Sequence, residues 1–172
     1  MFKKLQKKFI TKNIDKNLKA RNLSNINDQL HTIGFLVDED IPVDIEKFHE
    51  IAKELGLQQK DVKIFSFLEV KTKTPTLQQN KINNKHFTWR GDIRNQNVDE
   101  FLEIPFDVLI GFYNNNNIYL DLLVSKSKAK FKIGFTGIDN RLFDLLINVD
   151  PIRINNVKNE LIKYLKILNK IK

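Results

Sequence analysis

The stretch Thr32–Val37 (Thr-Ile-Gly-Phe-Leu-Val) is apolar on consecutive residues rather than alternate ones, and it closes on Asp38-Glu39-Asp40. A strand of that kind is buried on both faces, which is the condition of strands in a parallel sheet with helices above and below. Phe106–Phe112 (Phe-Asp-Val-Leu-Ile-Gly-Phe) is the clearest strand in the chain. Between these two, Pro42 opens a helix whose Ile45, Phe48, Ala52 and Leu55 form one stripe, and Gly56 is placed to end it as a left-handed cap. Val62–Leu68 is a second strand, expected to run parallel to the first because a helix joins them.

The remaining segments fit the same alternation. Residues 69–84 are polar and without period, so they are expected to form an exposed loop. His86–Arg90 is expected as a short strand and Val98–Leu102 as a short helix before Pro105. Asn114–Asn117 can cap a helix from Ile118 to about Ser125, and Lys130–Phe135 gives another strand. Leu142–Val149 fits strand or helix equally. A last helix starts at Asn155 or Asn156, with Val157, Leu161, Tyr164, Leu165, Leu168 and Ile171 on one face. The expected fold is therefore α/β. It is a three-layer open sheet, Rossmann-like or flavodoxin-like and mainly parallel, with terminal amphipathic helices. The 172 residues, 41% apolar and with thirteen Phe, suffice for one domain with a real core.

Charge is distributed unevenly along this frame. Residues 1–24 carry a formal +7, residues 153–172 carry +5, and the 128 residues between them carry −4. Within 2–21, Phe2, Leu5, Phe9 (or Ile10), Ile14 and Leu18 recur at spacings of three to five among lysines, which predicts one basic amphipathic helix or two short ones. The chain divides accordingly into a basic segment, 1–24, and an α/β domain, 25–172. Basic ends around an acidic body point to a polyanionic partner. A single patch requires the two ends to lie on one face.

Several chemistries lack their residues. Without cysteine there is no disulfide, thiolate metal site or cysteine nucleophile, and the composition fits a reducing, cytoplasmic setting. No apolar run approaches the ~20 residues of a membrane span, and the N-terminus lacks the apolar stretch of a secretory signal. His31, His49 and His86 have no metal-ligand spacing. No phosphate-binding glycine loop occurs, and none of the four serines sits in a nucleophile elbow. No motif calls for a cofactor, and no catalytic residue is assigned.

Three local candidates stand out. Asp38 and Asp40 follow the first strand at its carboxyl end, where open α/β sheets place ligands. They are either weak Mg²⁺ ligands or loop acids that favour the next helix N-terminus. Ser125–Lys132 alternates cations with small or apolar residues. Lys126, Lys128, Lys130 and Lys132 form either a phosphate-contacting patch or the lysine guard of an edge strand. The sole tryptophan, Trp89, beside Arg90, is either core or a base-stacking platform with Arg90 on phosphate.

Two resemblances rest on the middle of the chain. The segments Phe106–Tyr113 and Leu120–Phe135, with Arg141-Leu-Phe-Asp-Leu and Tyr164-Leu-Lys-Ile-Leu, make the whole chain resemble a family of short, uncharacterised α/β proteins from Bacteroidota. The run Ala129-Lys-Phe-Lys-Ile-Gly-Phe135 after a helix is similar to the strand–helix–strand in the N-terminal half of heptosyltransferase-type glycosyltransferases. The second, nucleotide-sugar-binding half of those enzymes has no room in this length. The expected function is non-enzymatic: RNA binding or ribosome association through the basic ends. Lys3, Lys4, Lys7, Lys8 and Lys12 would contact phosphate there, joined by Arg90 and the 126–132 lysines. One alternative is a small enzyme or binding domain for a phosphorylated or nucleotide-linked ligand, with metal on Asp38 and Asp40 and phosphate on Lys128 or Lys130. Another is peripheral attachment to an anionic membrane surface, with Phe2, Leu5 and Phe9 entering the headgroup boundary.

Overall fold

The computed structural model describes residues 1–72 and 79–172. Among the described residues, six strands form one open sheet: β1 (Ile33–Asp38), β2 (Val62–Leu68), β3 (Lys81–Asn83), β4 (Val108–Phe112), β5 (Lys132–Phe135) and β6 (Leu145–Ile147). Their spatial order is β3-β2-β1-β4-β5-β6, and every neighbouring pair is parallel. That is the order of a doubly wound Rossmann-type sheet, whose winding reverses between β1 and β4.

Five α-helices among the described residues cover the sheet: α1 (Phe2–Ala20), α2 (Ile45–Glu54), α3 (Gln96–Glu103), α4 (Ile118–Lys126) and α5 (Ile154–Ile167). The alternation of strand side chains divides the core in two. Leu36, Phe65, Phe67 and Leu109 face α1, α3 and α4, whereas Ile33, Phe35, Val37, Ile110 and Ile133 face α2 and α5. Every residue of β1 is buried, as its unbroken apolar run requires. The basic N-terminal and C-terminal helices therefore lie on opposite faces of the sheet.

Glycines in three strands make room for aromatic rings on the α4 side. A Cβ at Gly34 would meet the Phe106 ring at 2.7 Å, and one at Gly111 or Gly134 would meet the Phe143 ring at 2.8 or 2.9 Å. Gly56, at φ +88°, follows α2 in the left-handed conformation expected of its cap. Asp44 caps the start of α2, and Asn117 caps α4 by accepting from the amides of Tyr119 and Leu120.

Several elements differ from expectation. Residues 69–84 are not all loop, because Lys81–Asn83 adds to the sheet beside β2 with Ile82 buried; residues 73–78 of that stretch lie outside the described residues. His86–Arg90 is not a strand. The Asn83 side chain accepts from the Lys85 amide and the His86 ring accepts from the Asn83 amide, and this closes Asn84–His86 into a 3-10 turn. Phe87 then makes one antiparallel bridge to Ile93. Leu142–Val149 resolves into the end of a 3-10 turn (Asn140–Leu142) and β6. Ile10 and Ile14 of α1 are buried in the same core as α4.

Candidate functional site

The apolar periodicity of α1 merges two stripes. Gln6, Ile10 and Ile14 are its buried residues, whereas Phe2 and Leu5 stand 64% and 43% exposed on another side. Polar anchors fix the helix. The Gln6 side-chain amide donates to the Thr88 carbonyl (3.1 Å), Asn13 to the Arg90 carbonyl (3.0 Å) and Asn17 to the Ser125 hydroxyl (3.0 Å). At its end, Arg21 makes a two-pronged pair with Asp144 at 2.7 and 2.6 Å. Its seven lysines are all exposed, and among the described residues none makes an ion pair.

The C-terminal cations are more engaged. Lys158 pairs with Glu54 and Lys163 with Glu160, and the buried Lys170 ammonium donates to the carbonyls of Ile26 and Asp28. Because the two basic ends sit on opposite faces and half of the second is spoken for, they do not form one patch.

The lysines of the 126–132 run are likewise separated. Lys126 and Lys128 are exposed. Lys130 is held by Asp28 and Asp107, each at 2.8 Å, and these hydrogen bonds raise its pKa. Lys132 is 1% exposed and donates to the Val124 carbonyl at the end of α4 (2.6 Å). Burial, helped by the Arg21 charge, pushes its amine down to about 7. It is thus unavailable to a surface ligand. Nor is β5 an edge strand needing lysine protection, because β4 and β6 flank it. Asp107, unremarked in the sequence, is an anchor. It accepts from the amides of His31 and Thr32 and from Lys130, and although burial pushes its carboxyl up, these bonds hold it below the usual range.

The acidic loop after β1 turns in on itself. Asp38 is buried and accepts from the Asp40 amide, and burial is the main reason its pKa is raised. Glu39 accepts from Ser66 and pairs with Lys81, both at 2.7 Å, while Asp40 is exposed. Among the described residues, no group of three or more His, Cys, Asp or Glu side chains is placed to hold a metal ion. Trp89 is not core. It stands 38% exposed, edge-on to Phe9 at 5.3 Å, with the Arg90 guanidinium 4.7 Å from its ring centre.

A groove of about 660 Å³ opens at the carboxyl ends of β2 and β3, walled on one side by α1 and on another by the start of α4. Lys3 and Lys7, one turn apart on α1, face Lys71 after β2 and Lys85 after β3 across it, with Glu69 the lone acid in the lining. Its walls are hydrogen-bonded together. The Tyr119 hydroxyl donates to the Gln6 side-chain oxygen Oε1 (3.1 Å), and the Val70 amide donates to the Asn84 side chain (2.7 Å). Burial, then the Glu69 charge, raises the Tyr119 phenol, so it stays a neutral donor. A second cleft, of about 450 Å³ between α2 and the amino end of β2, mixes Glu46 and Glu50 with Lys53 and lies away from the carboxyl edge.

Sequence reasoning named Lys3 and Lys7 but missed Lys71, Lys85, Gln6 and Tyr119. Their convergence depends on where the sheet order brings the 69–72 and 84–86 turns. Asp121 was also missed: the Tyr113 hydroxyl donates to it at 2.7 Å, and burial pushes its carboxyl up to about 6. Among the described residues, no helix is long and apolar enough to cross a membrane.

A model of a family of unknown function (DUF6913) matches residues 6–168, and the chain belongs to that family. No curated protein and no solved structure matches it.

Proposed function

We propose that this member of a family without assigned activity is a binding domain for a phosphorylated or nucleotide-linked ligand, held in the groove between α1 and the carboxyl ends of β2 and β3. The observation that carries the reading is the convergence of Lys3, Lys7, Lys71 and Lys85, none in an ion pair among the described residues, with Glu69 the one opposing charge. Like charges brought together repel, and an anion seated among them removes that cost. The groove lies on the carboxyl edge of the sheet, the edge on which open α/β sheets bind ligands, to one side of the β1/β4 switch point. Its size falls within the roughly 300–1,000 Å³ of small-ligand sites. Lysines supply compact point charges, a form in which phosphate is commonly held. A long polyanion such as RNA would have to be gripped from the α1 side alone, since α5 lies across the sheet.

Thermal denaturation with pyrophosphate, ADP and sugar phosphates tests this. A ligand at about 100 times its dissociation constant adds roughly 2.7 kcal/mol, which raises the melting temperature by several degrees. The double replacement Lys71→Glu and Lys85→Glu, at two exposed positions, abolishes that rise without lowering the unliganded melting temperature. No rise across the panel, or a rise that survives the double replacement, refutes the proposal.

A further inference from the structure

We propose that a second surface of the protein, the outer flank of α1, seats it on an anionic lipid surface. Phe2, Leu5 and Phe9 follow at spacings of three and four, so they form one ridge, and the ridge is turned away from the buried Ile10 and Ile14. Trp89 extends it through its edge contact with Phe9. Phe2, Leu5 and Trp89 are 64%, 43% and 38% exposed, so the ridge presents apolar side chains to water.

What covers the ridge is indicated by its border. Lys8 and Lys12 stand three residues beyond Leu5 and Phe9, and Lys16 lies one turn further. All three are exposed and none is ion-paired among the described residues. An apolar ridge of Phe, Leu and Trp edged with unpaired lysines is complementary to acyl chains beneath anionic headgroups, and it is mismatched to an uncharged apolar groove. The helix need not leave the domain to make the contact. Its inner side stays in the core while Gln6, Asn13 and Asn17 keep their bonds to Thr88, Arg90 and Ser125. Lys3 and Lys7, which line the groove, are not used, so this surface is independent of the ligand reading.

Trp89, the sole tryptophan, reports on the ridge directly. On adding vesicles of phosphatidylcholine with ~30% phosphatidylserine, its emission shifts to the blue and it becomes protected from acrylamide; pure phosphatidylcholine gives neither effect. Replacing Lys8, Lys12 and Lys16 with Ser lowers the vesicle partition coefficient roughly 100-fold. The pair Phe2→Ser and Leu5→Ser lowers it by at least ~30-fold, and both variants melt as the parent does. Lys71→Glu with Lys85→Glu abolishes the nucleotide effect while vesicle binding persists, lowered far less than by the Lys8, Lys12 and Lys16 replacements, which separates the two proposals. Unchanged emission with phosphatidylserine vesicles, equal binding to pure phosphatidylcholine, or full binding by the Phe2/Leu5 variant overturns the inference. Retention of single-stranded RNA by the same lysines without vesicle binding assigns the flank to nucleic acid and overturns it equally.

Discussion

Lys132→Met isolates the energetic effect of a buried cation. The side chain is 1% exposed on an interior strand, its amine donates to the Val124 carbonyl, and the site holds its pKa near 7 instead of 10.5. The folded protein therefore releases this proton at a lower pH than the unfolded chain does. Between those two values the unfolded chain binds more protons, so stability rises with pH across the window. At ~1.4 kcal/mol per unit, the charged amine costs the folded state about 5 kcal/mol below roughly pH 6. Between about pH 7 and pH 9, some 2 kcal/mol of that cost is relieved. Methionine has a similar shape and no charge. Its replacement forfeits one hydrogen bond of about 1 kcal/mol, and the Val124 carbonyl keeps its bond from the Ser127 amide. The variant is accordingly the more stable by about 3–4 kcal/mol near pH 6, and its advantage shrinks by about 2 kcal/mol between pH 7 and 9. Urea denaturation of both proteins at several pH values measures this, because the other titrating groups are common to both. An advantage that does not change with pH refutes the argument.

Two further changes probe how the sheet holds its covering helices. Asp144→Ala strands the Arg21 guanidinium and removes the acceptor of the Lys132 amide; it is expected to cost about 3–5 kcal/mol by chemical denaturation, with a matching loss when Arg21 is replaced instead. Gly111→Ala drives a methyl into the Phe143 ring, which is also pressed against Gly134 and cannot withdraw. It is expected to cost about 1–3 kcal/mol, much of it recovered by pairing it with Phe143→Leu.

The sheet was legible because its signals are local. Ile33–Val37 and Val108–Phe112 are apolar throughout, Asn117 caps its helix, and Gly56 ends another, so strand, helix and parallel order followed from neighbouring residues. β3 escaped because three residues, Lys81-Ile82-Asn83, carry too little periodicity; the edge of β2 makes them a strand. α1 was recognised as a helix but not in its facing, since Phe9 and Ile10 are adjacent and belong to different stripes. Lys132 looked like a surface cation in an alternating run, yet its strand is interior and its face is the α4 side, a fact fixed by strand order alone. The groove was less legible still. Lys71 and Lys85 are unremarkable in sequence and gain meaning only where the turns after β2 and β3 meet α1.

A ¹⁵N-resolved NMR titration with ADP reports residue by residue whether the groove holds a phosphate-bearing ligand. Saturable shifts are expected in the amides of Gln6, Lys7, Val70, Lys71, Asn84, Lys85 and Tyr119, with Asp38–Asp40 and α5 unmoved. Saturable shifts centred on Asp38–Asp40 or α5, or no shifts with ADP and with pyrophosphate at millimolar concentration, contradict it.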